Sequence, residues 1–210
     1  MLFRSNELFD EKLRLLVQLR ESEKITWSGK FRAPLNDLGV YPRPVQESIP
    51  IWVAVGGTPE SVIRAASMGL PVALAIIGGT SERFAPFFDL YRKASMEYGF
   101  EPQQIPLSIN SHGFIAEDAQ EAVDAYYPAA TVMMNRIGRE RGWPPTTRQQ
   151  LEQQRYLRGS DFVGTPDEII EKILYQHEIF DHQRFLMYLG NNAIRSEEHT
   201  SELQSHVRIS

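Results

Sequence analysis

The chain has 210 residues, 42% of them hydrophobic and 23% charged, which is material for one large domain or two small ones and not the composition of a disordered chain. It contains no cysteine, so disulfide frameworks, thiolate zinc sites, iron–sulfur clusters and a cysteine nucleophile are excluded together. A formal net charge of −5 argues against a nucleic-acid binder, and no run of about 18 apolar residues is present to span a membrane. Met1 to Arg20 alternates charged and apolar residues, unlike a secretory leader, so the expectation is a cytoplasmic protein with a small-molecule or protein partner.

Asn6 is placed to cap a helix over Glu7–Arg20, with Phe9, Leu13 and Leu16 on one stripe and Leu8, Leu15 and Leu19 beside it. From Glu21 to Ser48 the chain turns irregular. Ile25–Trp27 and Lys30-Phe31 flank a Ser28-Gly29 turn and suggest a small hairpin, followed by Pro34, Gly39, Pro42 and Pro44.

Ile51–Val55 is a short apolar run that reads as a strand buried on both faces, ending in Gly56-Gly57. Thr58 then serves as N-cap and Pro59 as first helical residue of a helix that runs to about Met68 and stops at Gly69. Pro71–Ile77 repeats the pattern: a strand closing on Gly78-Gly79, then Thr80 or Ser81 capping a helix to Tyr98, with Gly99 as the stop. A third unit runs from Leu107–Ile109 through Phe114-Ile115, with Asp118 capping its helix; in the fourth, Thr165-Pro166 opens a helix to Phe180 and Arg184–Leu189 is the last strand. Apolar strands separated by helices imply parallel pairing through right-handed crossovers, hence a doubly wound sheet or a β/α barrel. Four strands are half the eight that a barrel fits into about 250 residues.

Arg195–Ser210 shows neither helical nor strand periodicity. Arg195–His206 resembles the in-frame translation of a common sequencing-library adapter, so 195–210 is set apart as a cloning or assembly scar, the alternative being a polar unfolded terminus. His199 and His206 leave the argument with it.

In either architecture, ligands bind beyond the carboxyl ends of the strands, where loops enter helix N-termini. Gly56, Gly57, Thr58 and Ser61 sit at such a place: glycines permit close approach of an anion, the helix start offers N–H groups and partial positive charge, and the hydroxyls can donate. On spacing alone, a plain turn and cap explains the loop better, as it does for Gly164-Thr165-Pro166-Asp167. His112, ending the third strand, can donate to a cofactor ring or developing oxyanion, or can be a structural histidine. His177 and His182 are out of phase for a helical metal pair and read as a solvated face. Arg139 and Arg141 belong to a lid that contacts an anion, or to a surface segment pairing with Glu140. Met133-Met134 and Tyr126-Tyr127 read as packing.

Taken together, Gly39–Val45, Ile49–Leu74, Ser108–Ala116, Ile137–Pro145 and Leu174–Leu186 resemble the bacterial-luciferase-like flavin-dependent oxidoreductases, a family of β/α barrels, over about Arg4–Asn192. The resemblance implies that residues 1–194 are the C-terminal half of a (β/α)8 TIM barrel, roughly strands five to eight with their helices. It implies FMN, or in some branches deazaflavin F420, at the barrel mouth, reduced by NAD(P)H or a partner flavin reductase, and monooxygenation of a small organic substrate. Gly56, Gly57, Thr58 and Ser61 then match the loop that contacts the flavin phosphate, Ile77 and Gly78 lie beside the ring, and Pro128–Gly159 corresponds to a mobile loop. The full-length protein is expected to be a homo-oligomer. The family's first four strands, which carry catalytic residues, have no counterpart here, so the catalytic residues cannot be carried over and the truncated chain is expected to be inactive, a half barrel with two raw sheet edges. A non-catalytic, flavin-free barrel subunit and a small α/β binding module are the other readings.

Overall fold

The computed structural model describes residues 2–189, with side chains from Ser5 onward; the 195–210 segment lies outside the described residues. The chain divides into two compact units, the first ending at Trp52 and the second beginning at Val53.

In the first unit, α1 (Leu2–Glu21) begins upstream of the expected cap. Leu2–Ser5 contains no helix breaker, so the helix propagates through it and Asn6 becomes an exposed interior residue. Leu13 and Leu15 are buried, whereas Leu8, Phe9 and Leu16 are exposed. The helix ends under Arg43, whose guanidinium donates to the carbonyls of Leu19, Arg20 and Ser22 at 3.1, 2.8 and 3.0 Å, using carbonyls that a helix end leaves without partners. A hairpin is present, but with a different second strand: β1 (Lys24–Trp27) pairs antiparallel with β2 (Leu35–Gly39). Lys30 and Phe31 are not available to a ladder because their N–H groups donate to the Glu11 carboxylate at 2.7 and 3.1 Å.

The second unit alternates strand and helix: β3 (Val53–Val55), α2 (Pro59–Ser67), β4 (Val72–Ala75), α3 (Ala85–Glu97), β5 (Ser108–Ile115), α4 (Ala119–Arg141), α5 (Arg148–Arg155), β6 (Phe162–Gly164), α6 (Pro166–Phe180) and β7 (Arg184–Tyr188). β3, β4 and β5 are successive parallel neighbours, and β5 also pairs in parallel with β7 through Ser108–His112 and with β6 through Gly113–Ile115. The sheet therefore has five strands rather than the expected four, the short β6 preceding Thr165. Residues 128–159 are largely helical rather than a loop: α4 continues through Pro128 to Arg141, and α5 follows.

Register separates the two faces of the sheet. Val53, Val55, Val72, Leu74, Ile109 and Phe185 share one face; Ala54, Ala73, Ser108 and Arg184 align across the other, followed by Ala75, Asn110 and Leu186. On the first face Val53, Val55, Val72, Leu74 and Ile109 are buried; on the second, Ala73 and Ser108 are buried while Ala54 and Arg184 are exposed. β3 is thus not covered on both sides, since Ala54 between two buried valines is exposed.

Gly113 is required by close approach: a Cβ there would lie 2.6 Å from the backbone oxygen of Phe162, where β6 joins β5. His182 departs from its expected solvated position. It is 5% exposed, with its ring 5.5 Å from that of His177. Burial, and then the facing His177, push its pKa down to about 4. Among the described residues, no helix is long and apolar enough to cross a membrane.

Two outcomes follow from these contacts. Gly113→Ala is expected to lower stability by about 1–3 kcal/mol, because the Phe162 backbone must move as well as the flexible Met187 side chain; an unchanged urea midpoint would contradict the packing described. Because His182 is depressed from its ordinary 6.5, its neutral form contributes stability that is whole above that pH and is lost as pH falls through about 4. The melting temperature of the wild type should fall across that window, and His182→Asn should flatten the slope.

Candidate active site

The loop leaving β4 forms the first part of the site. Ile76 N–H donates to Asn110 O at 2.9 Å, and Ser111 Oγ donates to Ile76 O at 3.1 Å, extending the strand contact by one residue. Ile77 and Gly78 then emerge exposed beyond the strand end. The turn is held from outside the strand: Gly79, with φ +83°, donates its N–H to Gln154 Oε1 at 3.0 Å. Ser81 N–H donates to Arg158 O at 2.8 Å, while Ser81 Oγ accepts from Gln176 Nε2 at 2.9 Å.

The facing wall is helical. Asp118 caps α4, accepting from the N–H groups of Gln120 and Glu121 at 2.8 and 3.0 Å. Tyr126, Ala130, Met133 and Met134 follow at helical spacing along one side. Gly142 closes α4 in the left-handed conformation, and Thr147 with Gln150 forms a capping box that starts α5. Between the strand ends and these helices lies a cavity of about 280 Å³, reached by Ile77, Gly78, His112, Met134, Trp143 and Asp161 among others.

Asp161 is placed there by Lys172. The Lys172 side chain is buried, and its Nζ donates to the carbonyl oxygens of Gln154, Arg155, Tyr156 and Asp161 at 3.0, 3.1, 2.9 and 2.6 Å. Three of these carbonyls end α5, where the helix dipole is negative, and the Phe162 ring lies 5.0 Å from the ammonium. Burial raises the Asp161 carboxyl above the usual carboxylate range and pulls Lys172 down, with mutual attraction opposing both. Burial also raises Tyr126 and lowers His112, which favours a neutral imidazole. The His112 ring stands edge-on to Tyr188, centroids 5.3 Å apart.

A second feature lies one strand away, at the N-terminus of α2. Thr58 makes no side-chain cap; its Oγ1 donates instead to Ser61 Oγ at 2.8 Å. A Cβ at Gly56 would meet nothing within 4 Å, and Gly57 sits at φ +95°. The similarly worded Gly164-Thr165-Pro166-Asp167 behaves differently: Thr165 and Glu168 form a capping box, and a Cβ on Gly164 would strike the Glu168 carboxylate. The third helical residue decides between them, glutamate in α6 and serine in α2.

Of the sequence candidates, Ile77, Gly78 and His112 come together at the cavity, and Gly56, Gly57, Thr58 and Ser61 form their own loop outside its lining. Arg139 and Arg141 are exposed on the last turn of α4 and do not line the cavity; neither pairs with Glu140 among the described residues. Arg141 lies 5.1 Å from the ring of Trp143, which does line it. The reading of Met133, Met134 and Tyr126 as packing is incomplete, since all three reach the cavity; Tyr127 packs with Phe114, Val123 and Leu151. Gln154 and Asp161 were missed. The available signal for Asp161 was an acid set directly before the apolar Phe162-Val163, an arrangement that buries a carboxylate if the run is a strand.

A family model described as luciferase-like monooxygenase matches residues 4–183. Among solved structures, monooxygenase RslO1 from Streptomyces bottropensis is 25% identical, with TM-score 0.66, over 87% of this chain and 54% of its own. The oxygenating constituent of 3,6-diketocamphane monooxygenase from the CAM plasmid of Pseudomonas putida, in complex with FMN, is 16% identical, with TM-score 0.63, over 88% and 56%. Coenzyme F420 dependent tetrahydromethanopterin reductase from Methanopyrus kandleri is 15% identical, with TM-score 0.60, over 85% and 57%. The latter two likenesses are likenesses of fold. The chain spans about half the length of these structures. No curated protein matches it.

Removing the Lys172 ammonium takes the donor from the buried Asp161 carbonyl and from that of Arg155, while the Gln154 and Tyr156 carbonyls keep the Asp161 and Gly159 N–H groups. Lys172→Met is therefore expected to cost about 2–4 kcal/mol in urea unfolding and to speed amide exchange in α5 and at Asp161. Unchanged exchange in that segment would refute the role given to Lys172.

Proposed function

The chain belongs to the luciferase-like monooxygenase family, and on that premise we propose that it is part of an oxidoreductase that uses a reduced flavin on a small organic substrate. Its fold is a partial β/α barrel, with a parallel sheet whose strand ends open on the cavity. FMN is the cofactor proposed, and F420 the second choice; one solved relative is in complex with FMN and another depends on F420. The RslO1 likeness, at 25% identity to a monooxygenase, favours FMN, because oxygen activation is flavin rather than deazaflavin chemistry. Reducing equivalents would come from NAD(P)H or from a partner reductase.

The observation that carries this reading is the open N-terminus of α2. A helix start with no side-chain cap, a glycine whose Cβ position is empty and two hydroxyls in line with the first turn fit a phosphate. Gly56 and Gly57 would admit the phosphate to the backbone, and Thr58 and Ser61 would donate to it. Ile77 and Gly78, at the mouth of the cavity, would flank the ring. When bound, the flavin supplies the two-electron chemistry. The residues of this chain bind and orient: His112, whose charged form burial disfavours, can offer a hydrogen bond, and Trp143 with Met133 and Met134 excludes water.

Flavin titration tests the phosphate assignment. FMN should quench more tightly than riboflavin, which lacks the phosphate, and Ser61→Glu should erase that difference. The new carboxylate would complete a capping box with Thr58, so folding stability should hold or rise by about 0.5–1 kcal/mol. Equal affinity of the wild type for FMN and riboflavin would overturn the assignment.

A further inference from the structure

We propose that the cavity between the strand ends and α4–α5 is a chamber for a ring-bearing small molecule that presents a hydroxyl to the carboxylate of Asp161. The inference rests on the oxidoreductase reading only in calling that molecule the substrate.

Asp161 is 7% exposed, and its carboxylate is under-served. Among the described residues its one side-chain contact is Ser160 Oγ at 3.4 Å, and the single hydrogen of that hydroxyl has a nearer acceptor in Gln154 Oε1 at 2.9 Å. Lys172, the nearby cation, spends a hydrogen bond on the Asp161 backbone oxygen instead. A buried carboxylate without an ion pair ordinarily gathers several donors. This one lines the cavity with oxygen capacity unused.

Two further groups share the condition. Tyr126 is 3% exposed, and among the described residues neither its hydroxyl nor the ring nitrogens of His112 have a hydrogen-bond partner. Both line the same cavity. Asp161 just before β6, Tyr126 of α4 and His112 of β5 therefore converge on one space and turn hydrogen-bonding capacity toward it, which a bound molecule can fill. The rest of the wall is apolar and polarizable: Ile77, Met133, Met134, Trp143 and Leu151. Methionine sulfur and indole favour an aromatic ring. At about 280 Å³ the space lies just below the usual range of ligand pockets, about 300–1,000 Å³, and suits a small ring system rather than a whole dinucleotide or flavin nucleotide.

A hydroxyl on the ring matches the three groups. It can donate to Asp161 and accept from the Tyr126 hydroxyl, leaving His112 to bind a second polar atom. A carboxylate on the ring would instead face Asp161 and be repelled. The charged and titratable groups around Asp161 are Lys172 from α6, with Arg155 of α5 beside it, Tyr126 and Tyr127 from α4, and His112 across the cavity from β5.

The test is calorimetric titration of the whole chain, without flavin, using 2-naphthol and 2-methoxynaphthalene, which differ in the donor hydrogen. The wild type should prefer 2-naphthol about tenfold, the worth of a hydrogen bond to a charged acceptor. The preference should be larger near pH 8 than near pH 5, since burial keeps Asp161 protonated further up the scale. Asp161→Asn, nearly isosteric, should cut the preference to about twofold and remove its pH dependence; Tyr126→Phe should weaken 2-naphthol binding with the pH dependence intact. Equal binding of the two probes by the wild type, binding of neither, or a full preference in a folded Asp161→Asn variant would overturn the proposal. Because no flavin is present, failure here leaves the FMN and riboflavin comparison standing, and failure of that comparison leaves this one standing.

Discussion

The Lys172 ammonium organises the second unit. It has three N–H donors and four carbonyl oxygens within 3.1 Å, so one donor is shared. By collecting the last carbonyls of α5 and the backbone of Asp161, it fixes both the point at which α5 stops and the point from which β6 starts. Gln154, whose side chain holds the turn after β4, is thereby placed on one side, and the Asp161 carboxylate on the other. A residue that does not reach the cavity thus governs two that shape it. The arrangement offsets its own cost: an isolated buried cation is expensive, and the helix end supplies the oxygens that repay the lost hydration.

The helix starts of α2 and α6 show how little sequence separates a structural cap from a binding surface. Both begin with glycine, threonine and proline, and both lie after a strand of the same parallel sheet. In α6 the glutamate at the third position folds back on its own cap; in α2 a serine cannot reach, and the threonine hydroxyl turns to it instead. The side-chain lid that closes the start of α6 is missing from α2, where Ser61 N–H turns to the Thr58 carbonyl at 3.1 Å.

The repeating units were legible because each is written in local terms. An apolar run, a glycine and a threonine–proline start suffice to place β3 with α2, and Asp118 suffices to start α4. What was not legible depends on partners distant in the chain. β6 has three residues, too few for any periodicity, and is a strand because Gly113 lets it approach β5. Lys30-Phe31 looks like a strand until Glu11, about five helical turns away in sequence, takes its N–H groups. The helical character of 128–159 was obscured by Pro128 and by the Trp143–Pro145 break. Asp161 reads as an ordinary polar residue until α6 brings Lys172 against its backbone. His182 likewise gives no local sign of burial.

The unlike faces of the sheet give the unit an unequal freedom to vary. On the branched face, Val53, Val55, Leu74 and Ile109 are locked against their neighbours, and any change of volume there is felt at once. Across the opposite face runs Ala54, Ala73 and Ser108, side chains near the minimum of bulk, with Ala54 open to the outside. Added bulk is therefore tolerated at Ala54 on β3, whereas at Ala73 and Ser108, both buried, it would meet packed neighbours. On this sheet the latitude for larger side chains belongs to one outward position on its end strand.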